Sequence, residues 1–90
     1  MNKIRISYIE DDLIVGSVDL HEDHEITNLI VMPKDRRRGI AEMLVTLAEG
    51  AAENMGYPRV FATVTLANLP SRKLWEKRKY SQYYKYEKRL

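Results

Sequence analysis

The stretch VMPKDRRRGIA, residues 31–41, marks the point where the pattern of the chain changes from strand to helix. Pro33 cannot donate a hydrogen bond to a β-ladder, so it tends to end a strand. Gly39 allows the chain to adopt backbone conformations that other residues avoid, and to approach a bound group closely. The segment therefore predicts a strand, an irregular loop and the start of a helix, in that order.

An amphipathic helix is predicted from Gly39 to Met55, because apolar residues recur there at spacings of three and four. Gly56 and Pro58 would end it. The predicted core-facing side consists of Ile40, Met43, Leu44, Leu47, Ala48, Ala51 and Met55, and the predicted solvent-facing side of Glu42, Thr46, Glu49 and Glu53.

Three strands are predicted before this helix. Apolar and polar residues alternate over residues 3–9, as in a strand with one buried face. An acidic turn at 10–12 separates this strand from a second over 13–20, and the charged connection 21–24 leads to a third over 25–32. Short connections of this kind predict an antiparallel meander.

After the helix, residues 59–66 are rich in β-branched and aromatic side chains, which favours a strand. Its connection to the third strand through the helix favours parallel pairing. A second helix is predicted over 69–79, and a final strand over 80–88. The predicted class is thus an α/β fold with a mixed, mostly antiparallel sheet and two helices, forming a single domain over residues 1–90.

Composition limits the possible functions. The 90-residue chain has a formal net charge of only +2 and contains no cysteine, so it does not favour a nucleic-acid partner and cannot form disulfides or a cysteine zinc site. The N-terminus lacks the apolar run of a signal peptide, and no stretch reaches the ~20 apolar residues of a membrane span. We therefore expect a cytoplasmic protein with no membrane contact.

The loop at 34–41 has the features of a phosphate site. The first turn of a helix leaves backbone N–H groups unpaired, and the helix dipole adds partial positive charge there. Gly39 and the small Ala41 let the chain pass close to a phosphate, and the arginines at 36–38 add charged donors. The pattern therefore predicts a site for a nucleotide diphosphate. An ordinary solvated basic turn or a nucleic-acid patch is the alternative interpretation of the three arginines, and their position before a helix favours the phosphate site.

The same residues resemble a known family. Val31-x-Pro33-x-x-Arg36-x-x-Gly39-Ile40-Ala41 is similar to the pyrophosphate-binding signature of the GNAT superfamily of N-acetyltransferases, in which an Arg/Gln-x-x-Gly-x-Gly/Ala loop opens the central helix. Asn68-Leu69-Pro70-Ser71, followed by Leu74-Trp75-Glu76-Lys77 and Tyr80, resembles a later motif of that family. The resemblance covers about residues 25–88 and implies an acyl-CoA N-acyltransferase fold that lacks the family's first strand and first two helices.

This resemblance implies acetyl-CoA as co-substrate and no metal. Backbone groups of Leu29, Ile30 and Val31 would pair with the pantetheine arm where two neighbouring strands splay apart. The loop and the first turn of the helix would hold the pyrophosphate, and Asn68 and Ser71 would flank the pantetheine. The implied cofactor-binding residues are Leu29, Ile30, Val31, Arg36, Arg37, Arg38, Gly39, Ile40, Ala41, Glu42, Asn68 and Ser71.

The implied reaction is direct transfer of an acetyl group to a primary amine of a protein or a small molecule. Some family members place the general base on the strand after the helix, five residues before the asparagine, where this chain has Thr63. Others place it on the strand before the helix, where Glu25 is available with His24 beside it. Glu25 is therefore the candidate catalytic residue, and an ordinary charged loop end is the alternative interpretation.

The proton donor is also unusual. Many members carry a tyrosine where this chain has Trp75, and an indole N–H is no useful acid. Tyr80, Tyr83, Tyr84 or water would have to protonate the departing thiolate, and Trp75 is interpreted as a core anchor. A catalytically weak or inactive acetyl-CoA-binding or protein-interaction module is thus the alternative. The acceptor side is either open and suited to a macromolecular acceptor, or completed by a second copy in a homodimer.

Overall fold

The computed structural model describes residues 2–62, 69–82 and 86–90, with the backbone alone for 69–72, 81–82 and 86. No helix within these ranges is both long enough and apolar enough to span a membrane. The elements are β1 Lys3–Glu10, β2 Leu13–His21, β3 Ile26–Val31, a 3₁₀ turn at Pro33–Asp35, α1 Ile40–Asn54, β4 Arg59–Ala62, α2 Leu69–Lys77, β5 Ser81–Gln82 and β6 Tyr86–Arg89.

The first sheet is the predicted antiparallel meander, in the order β1-β2-β3. Lys3 lies opposite His21, and the hairpin closes where Glu10 pairs with Leu13. Asp11 and Asp12 form the turn with φ angles of 50° and 63°. Two consecutive residues with positive φ match the twist of the flanking strands, and aspartate tolerates this conformation better than most residues do.

The second sheet has the order β4-β6-β5, and all its pairs are antiparallel. The prediction of one final strand over 80–88 is wrong, because β5 and β6 are separate strands that pair with each other. Tyrosines recur in the sequence at 80, 83, 84 and 86, and no glycine, proline, asparagine or aspartate stands between the two strands to mark a reversal. Residues 83–85 lie outside the described residues.

The two sheets meet where β3 begins. Glu25 forms a parallel bridge with Phe61, and the Phe61 N–H donates to the His24 carbonyl at 3.2 Å. The predicted parallel pairing across α1 is therefore present, and in the ranges described it consists of this bridge. The architecture is the mixed, mostly antiparallel α/β fold that the sequence predicts.

Helix α1 packs across β2 at a glycine. A Cβ added to Gly16 would stand 2.9 Å from the Ile30 carbonyl oxygen of β3 and 3.1 Å from Leu44 Cδ1 of α1, so a larger residue at this position would be overpacked. The buried core includes Val15, Val18, Leu20, Ile26, Ile40, Leu44, Val45, Ala48, Ala52, Val60, Ala62, Trp75 and Tyr80.

The buried face of α1 is rotated relative to the prediction. Leu47 and Met55, predicted to face the core, are 48% and 47% exposed, whereas Glu49, predicted to face solvent, is only 6% exposed. The buried positions also include Val45 and Ala52. This rotation arises because α1 contacts β4 as well as the first sheet. The buried face therefore includes residues outside the core-facing side that helical periodicity predicts.

Candidate functional site

A cavity of about 680 Å³ opens between the end of β3, the loop that follows it and the first turn of α1, with α2 on its far side. Its lining residues are Leu29, Ile30, Val31, Asp35, Arg36, Arg37, Gly39, Ile40, Ala41, Glu42, Leu74 and Lys77. Nine of these twelve were predicted from the sequence as cofactor-binding residues. Asp35, Leu74 and Lys77 were not.

The first turn of α1 forms the floor of the cavity without a side-chain cap. Gly39 is the N-cap residue with φ 79° and ψ 10°, and no side chain accepts a hydrogen bond from the first-turn N–H groups. A Cβ at Gly39 would meet no atom within 4 Å, so glycine is needed for the backbone conformation and leaves open space in front of the helix. Unpaired amides and the helix dipole together favour an anion at this point.

Arg36 and Arg37 bring positive charge to the same opening. The Arg36 Nε donates to the Val31 carbonyl at 3.1 Å, which ties the loop to the end of β3. Arg37 has a φ of 68°, in the left-handed region. Neither arginine forms an ion pair with any residue that the structure describes, so both guanidinium groups are available to an anionic ligand.

Arg38 does not line the cavity, although the sequence groups it with the other two arginines. Its Nη1 and Nη2 donate to Glu10 Oε1 and Oε2 at 2.9 and 2.6 Å, and Nη1 also donates to Asp35 Oδ1 at 2.8 Å. These hydrogen bonds, together with one from the Tyr8 hydroxyl, lower the pKa of Glu10. Left-handed residues on both sides of Arg38 turn it toward this pair of carboxylates.

The far wall of the cavity comes from α2. Lys77 Nζ lies 2.7 Å from Glu42 Oε1, so an ion pair connects α2 with the first turn of α1 and lowers the pKa of Glu42. Leu74 stands one turn earlier and supplies an apolar surface. The spacing of three residues places Leu74 and Lys77 on one face of α2. No local sequence pattern indicates that this face packs toward α1.

A β-bulge shapes the strand wall. Ser17 pairs with Ile30 and Asp19 with Thr27, so Val18 opposes two residues of β3. Asn28, one of the two, has a φ of 52°, and its Nδ2 donates to Asp19 Oδ2 at 2.9 Å. A bulge interrupts the regular ladder and bends its strand, which redirects the residues 29–31 that line the cavity.

The anchor of this bulge is a buried carboxylate. Asp19 is fully buried, and it also accepts hydrogen bonds from Lys3 Nζ at 2.9 Å and Arg5 Nε at 2.8 Å. The hydrogen bonds from Arg5, Asn28 and Lys3 hold the pKa of Asp19 well below its usual range despite burial. No local pattern in the sequence indicates this role for Asp19.

Glu25, the candidate base, lies at the start of β3 and not among the cavity residues. Its N–H donates to Asp23 Oδ1 at 3.1 Å, and its carbonyl accepts from the His21 N–H at 2.9 Å. It lies four positions before Leu29, on the other side of the bulge at Asn28. The neighbouring His24 packs its ring on Tyr57, with centroids 4.0 Å apart.

Trp75 is the core anchor that the sequence predicts, since it is buried and meets the Tyr80 ring edge-on at 4.9 Å. The Tyr80 hydroxyl donates to Glu49 Oε2 at 2.8 Å inside the core. Burial and this carboxylate raise the pKa of Tyr80 far above its usual value. Tyr80 is thus held in the core and does not line the cavity. Thr63, Asn68, Tyr83, Tyr84 and the side chain of Ser71 lie outside the described residues.

A sequence model of the acetyltransferase (GNAT) family matches residues 3–80, while no curated protein matches the chain significantly. Three similar solved structures are the PaiA N-acetyltransferase of Thermoplasma acidophilum in complex with coenzyme A (TM-score 0.85, 16% identity), a GNAT family acetyltransferase of Elizabethkingia anophelis with acetyl-CoA bound (0.79, 21%) and the Bacillus subtilis acetyltransferase in complex with CoA (0.78, 18%).

The matches extend over most of this chain and over part of each solved structure. They cover 100% of this chain and 62% of the Thermoplasma protein, and 86% of this chain and 53% of each of the other two. This chain therefore spans a little over half the length of these proteins. At such low identity the likeness shows a common fold.

Proposed function

The chain belongs to the GNAT family of acetyltransferases, and on this premise we propose that it binds acetyl-CoA in the cavity beside α1 and transfers the acetyl group to a primary amine. The observation that carries the proposal is the uncapped N-terminus of α1 at Gly39, with Arg36 and Arg37 at the same opening. Few ligands other than a phosphorylated one would use both unpaired amides and two guanidinium groups.

The cavity suits the two chemically distinct parts of the cofactor. The pyrophosphate would lie against the first turn of α1, where Ile40, Ala41 and Glu42 present backbone N–H groups. The pantetheine arm would follow residues 29–31 of β3, with its amides paired to the strand edge as an added strand would be. The coenzyme A complexes of the Thermoplasma and Bacillus proteins, which share this fold, support the same ligand class.

Transfer would proceed in one direct step. The amine nitrogen attacks the thioester carbonyl carbon, a carbon–nitrogen bond forms, the carbon–sulfur bond breaks, and coenzyme A leaves as the thiolate. A backbone N–H near Ile30 would polarise the carbonyl oxygen. Glu25 would accept the amine proton through intervening water, because it precedes β3 and is not among the residues that line the cavity.

The reaction is tested by measuring thiol release from acetyl-CoA in the presence of a panel of primary amines and amine-bearing peptides. Glu25→Gln should lower kcat by about 10²-fold without changing the KM for acetyl-CoA, since only proton transfer is affected. Glu22→Gln, an exposed change three residues away, is the matched control. An unchanged kcat in Glu25→Gln would remove Glu25 from the mechanism.

A second candidate function is binding of acetyl-CoA without turnover. It is favoured by the position of the aromatic side chains, since among the described residues no tyrosine lines the cavity, Trp75 is buried, and the Tyr80 hydroxyl is held by Glu49. No phenol within this set is placed to protonate the thiolate. Saturable coenzyme A binding with no amine-dependent thiol release would support this candidate over the enzyme.

A further inference from the structure

The loop between the 3₁₀ turn and α1 holds an energetically unfavourable backbone. Arg37 and Gly39 both lie in the left-handed region, at φ 68° and 79°. Glycine adopts this conformation readily, but a side chain such as that of Arg37 makes it costly. Such a conformation persists only where surrounding contacts hold it. Arg38 stands between these two residues and makes the contacts.

The guanidinium of Arg38 reaches a different part of the chain. Its two terminal nitrogens bind both oxygens of Glu10, at 2.9 and 2.6 Å, across 28 residues of sequence. The planar guanidinium matches a carboxylate in this paired arrangement. The Tyr8 hydroxyl donates to Glu10 Oε2 at 2.8 Å and orients that carboxylate. The loop is thereby tied to the end of β1.

Arg38 also neutralises Asp35. Asp35 is buried, Arg38 Nη1 donates to its Oδ1 at 2.8 Å, and its Oδ2 has no hydrogen-bond partner in the part of the chain that the structure describes. Removing the guanidinium would leave this buried carboxylate without the ion pair that Arg38 gives it. Asp35 lines the cavity next to Arg36, so a rearrangement of Asp35 would displace the loop where the anion binds.

We propose that Arg38 is a positioning residue, which together with Glu10 and Asp35 fixes the loop so that Arg36, Arg37 and the first-turn amides of α1 converge on the cofactor phosphates. This inference rests on the proposed acetyl-CoA site. It assigns Arg38 a role different from the direct phosphate contact that its place in the arginine run suggests. It also gives Glu10, an acidic residue in the distant hairpin, a part in binding an anion.

A positioning role for Glu10 and a purely electrostatic role predict opposite effects of Glu10→Gln on coenzyme A affinity. Removing the negative charge of Glu10 should strengthen binding of an anionic ligand if only charge matters. If Glu10 positions the loop, Glu10→Gln instead weakens coenzyme A binding, and we expect a rise in Kd of about tenfold by calorimetry. Asp11→Asn is the matched control. Asp11 is exposed and adjacent to Glu10, the substitution removes the same negative charge, and asparagine tolerates this turn position.

Variants at Arg38 separate positioning from direct contact. Lysine keeps the charge but cannot form the paired contact with a carboxylate, so Arg38→Lys should lose nearly as much affinity as Arg38→Met. The Kd of the double variant Glu10→Gln/Arg38→Met should lie within about threefold of that of the weaker-binding single variant, since both changes disrupt the same Arg38–Glu10 contact. Thermal unfolding of each variant in parallel identifies any that is not folded at the assay temperature. Glu10→Gln is chosen because it preserves side-chain size and so disturbs folding little.

The outcomes are distinct. Wild-type protein that binds coenzyme A, with Glu10→Gln binding equally well or more tightly, would overturn the positioning role and leave the cofactor site in place. The same holds for Arg38→Lys at wild-type affinity, which would indicate a direct charge contact. Wild-type protein that does not bind coenzyme A would overturn the proposed function and this inference with it.

Discussion

At the scale of single residues, Glu49 departs furthest from its sequence expectation. Its helical position predicts solvent exposure, yet it is only 6% exposed. Its carboxylate accepts hydrogen bonds from the Tyr80 hydroxyl at 2.8 Å, from Arg78 Nη2 at 2.9 Å and from Lys88 Nζ at 3.4 Å. These partners come from the segment after α2 and from β6, so one carboxylate connects α1 to both.

We predict that Glu49→Ala lowers the free energy of unfolding by about 3 kcal/mol, because it leaves a half-buried guanidinium, an ammonium group and a buried hydroxyl without their acceptor. Urea denaturation gives the measurement. Glu53→Ala, one turn further along α1 and exposed, is the control and should change stability by less than about 0.5 kcal/mol. Equal effects of the two substitutions would mean that the Glu49 network contributes nothing.

The sequence could indicate only those site residues whose role depends on local features of the chain. The features of residues 36–41 are local, since a glycine, a small residue and adjacent arginines at a helix start suffice to predict an anion site. The partner of Arg38 lies 28 residues away, and the partners of Glu49 lie 29 to 39 residues away. Side-chain pairs at such separations depend on how the elements pack, which no local pattern encodes.

At the scale of elements, the contact of α1 with β2 depends on Gly16. The ideal Cβ position lies 2.9 Å from a backbone oxygen of β3, and a backbone atom cannot move aside as a flexible side chain can. In the sequence, Gly16 only interrupts the apolar pattern of the second strand. Glycine within a strand often marks a close approach of another backbone, and the structure gives that reason here.

Gly16→Ala should therefore destabilise the fold by about 1–3 kcal/mol through overpacking. Gly50→Ala is its matched control within α1, because a Cβ there meets nothing within 4 Å and alanine favours a helix over glycine by about 1 kcal/mol. Thermal melting of both variants should show shifts in opposite directions. A gain in stability for Gly16→Ala would contradict the close packing of α1 on β2.

The elements that the sequence predicted well are those with a long, regular pattern. The three-strand meander and α1 have clear periodicity and recognisable ends, and they occur within one or two residues of the predicted bounds. The tail failed because its aromatic residues satisfy one long strand as well as two short ones. The tail forms two strands because β5 and β6 pair with each other. Such pairing depends on the sheet as a whole and not on the sequence of either strand.

At the scale of the whole molecule, β3, the loop after it, α1 and α2 line a cavity whose local charge differs from that of the chain. The formal net charge is only +2, yet two unpaired arginines and the positive end of a helix converge at one opening among the described residues. Local placement of charge, more than total charge, therefore determines what this protein can bind. We propose that this opening holds the phosphates of acetyl-CoA.

The most direct test is a titration of ¹⁵N-labelled protein with coenzyme A, followed through the backbone amide signals. We predict saturable shifts concentrated at residues 29–31, 36–37 and 39–42, with Lys77 also affected, because these residues line the cavity. The hairpin turn at Asp11 and Asp12, outside the cavity lining, should change little. An absence of shifts at millimolar coenzyme A, or weak shifts spread over basic surface residues, would contradict the claim.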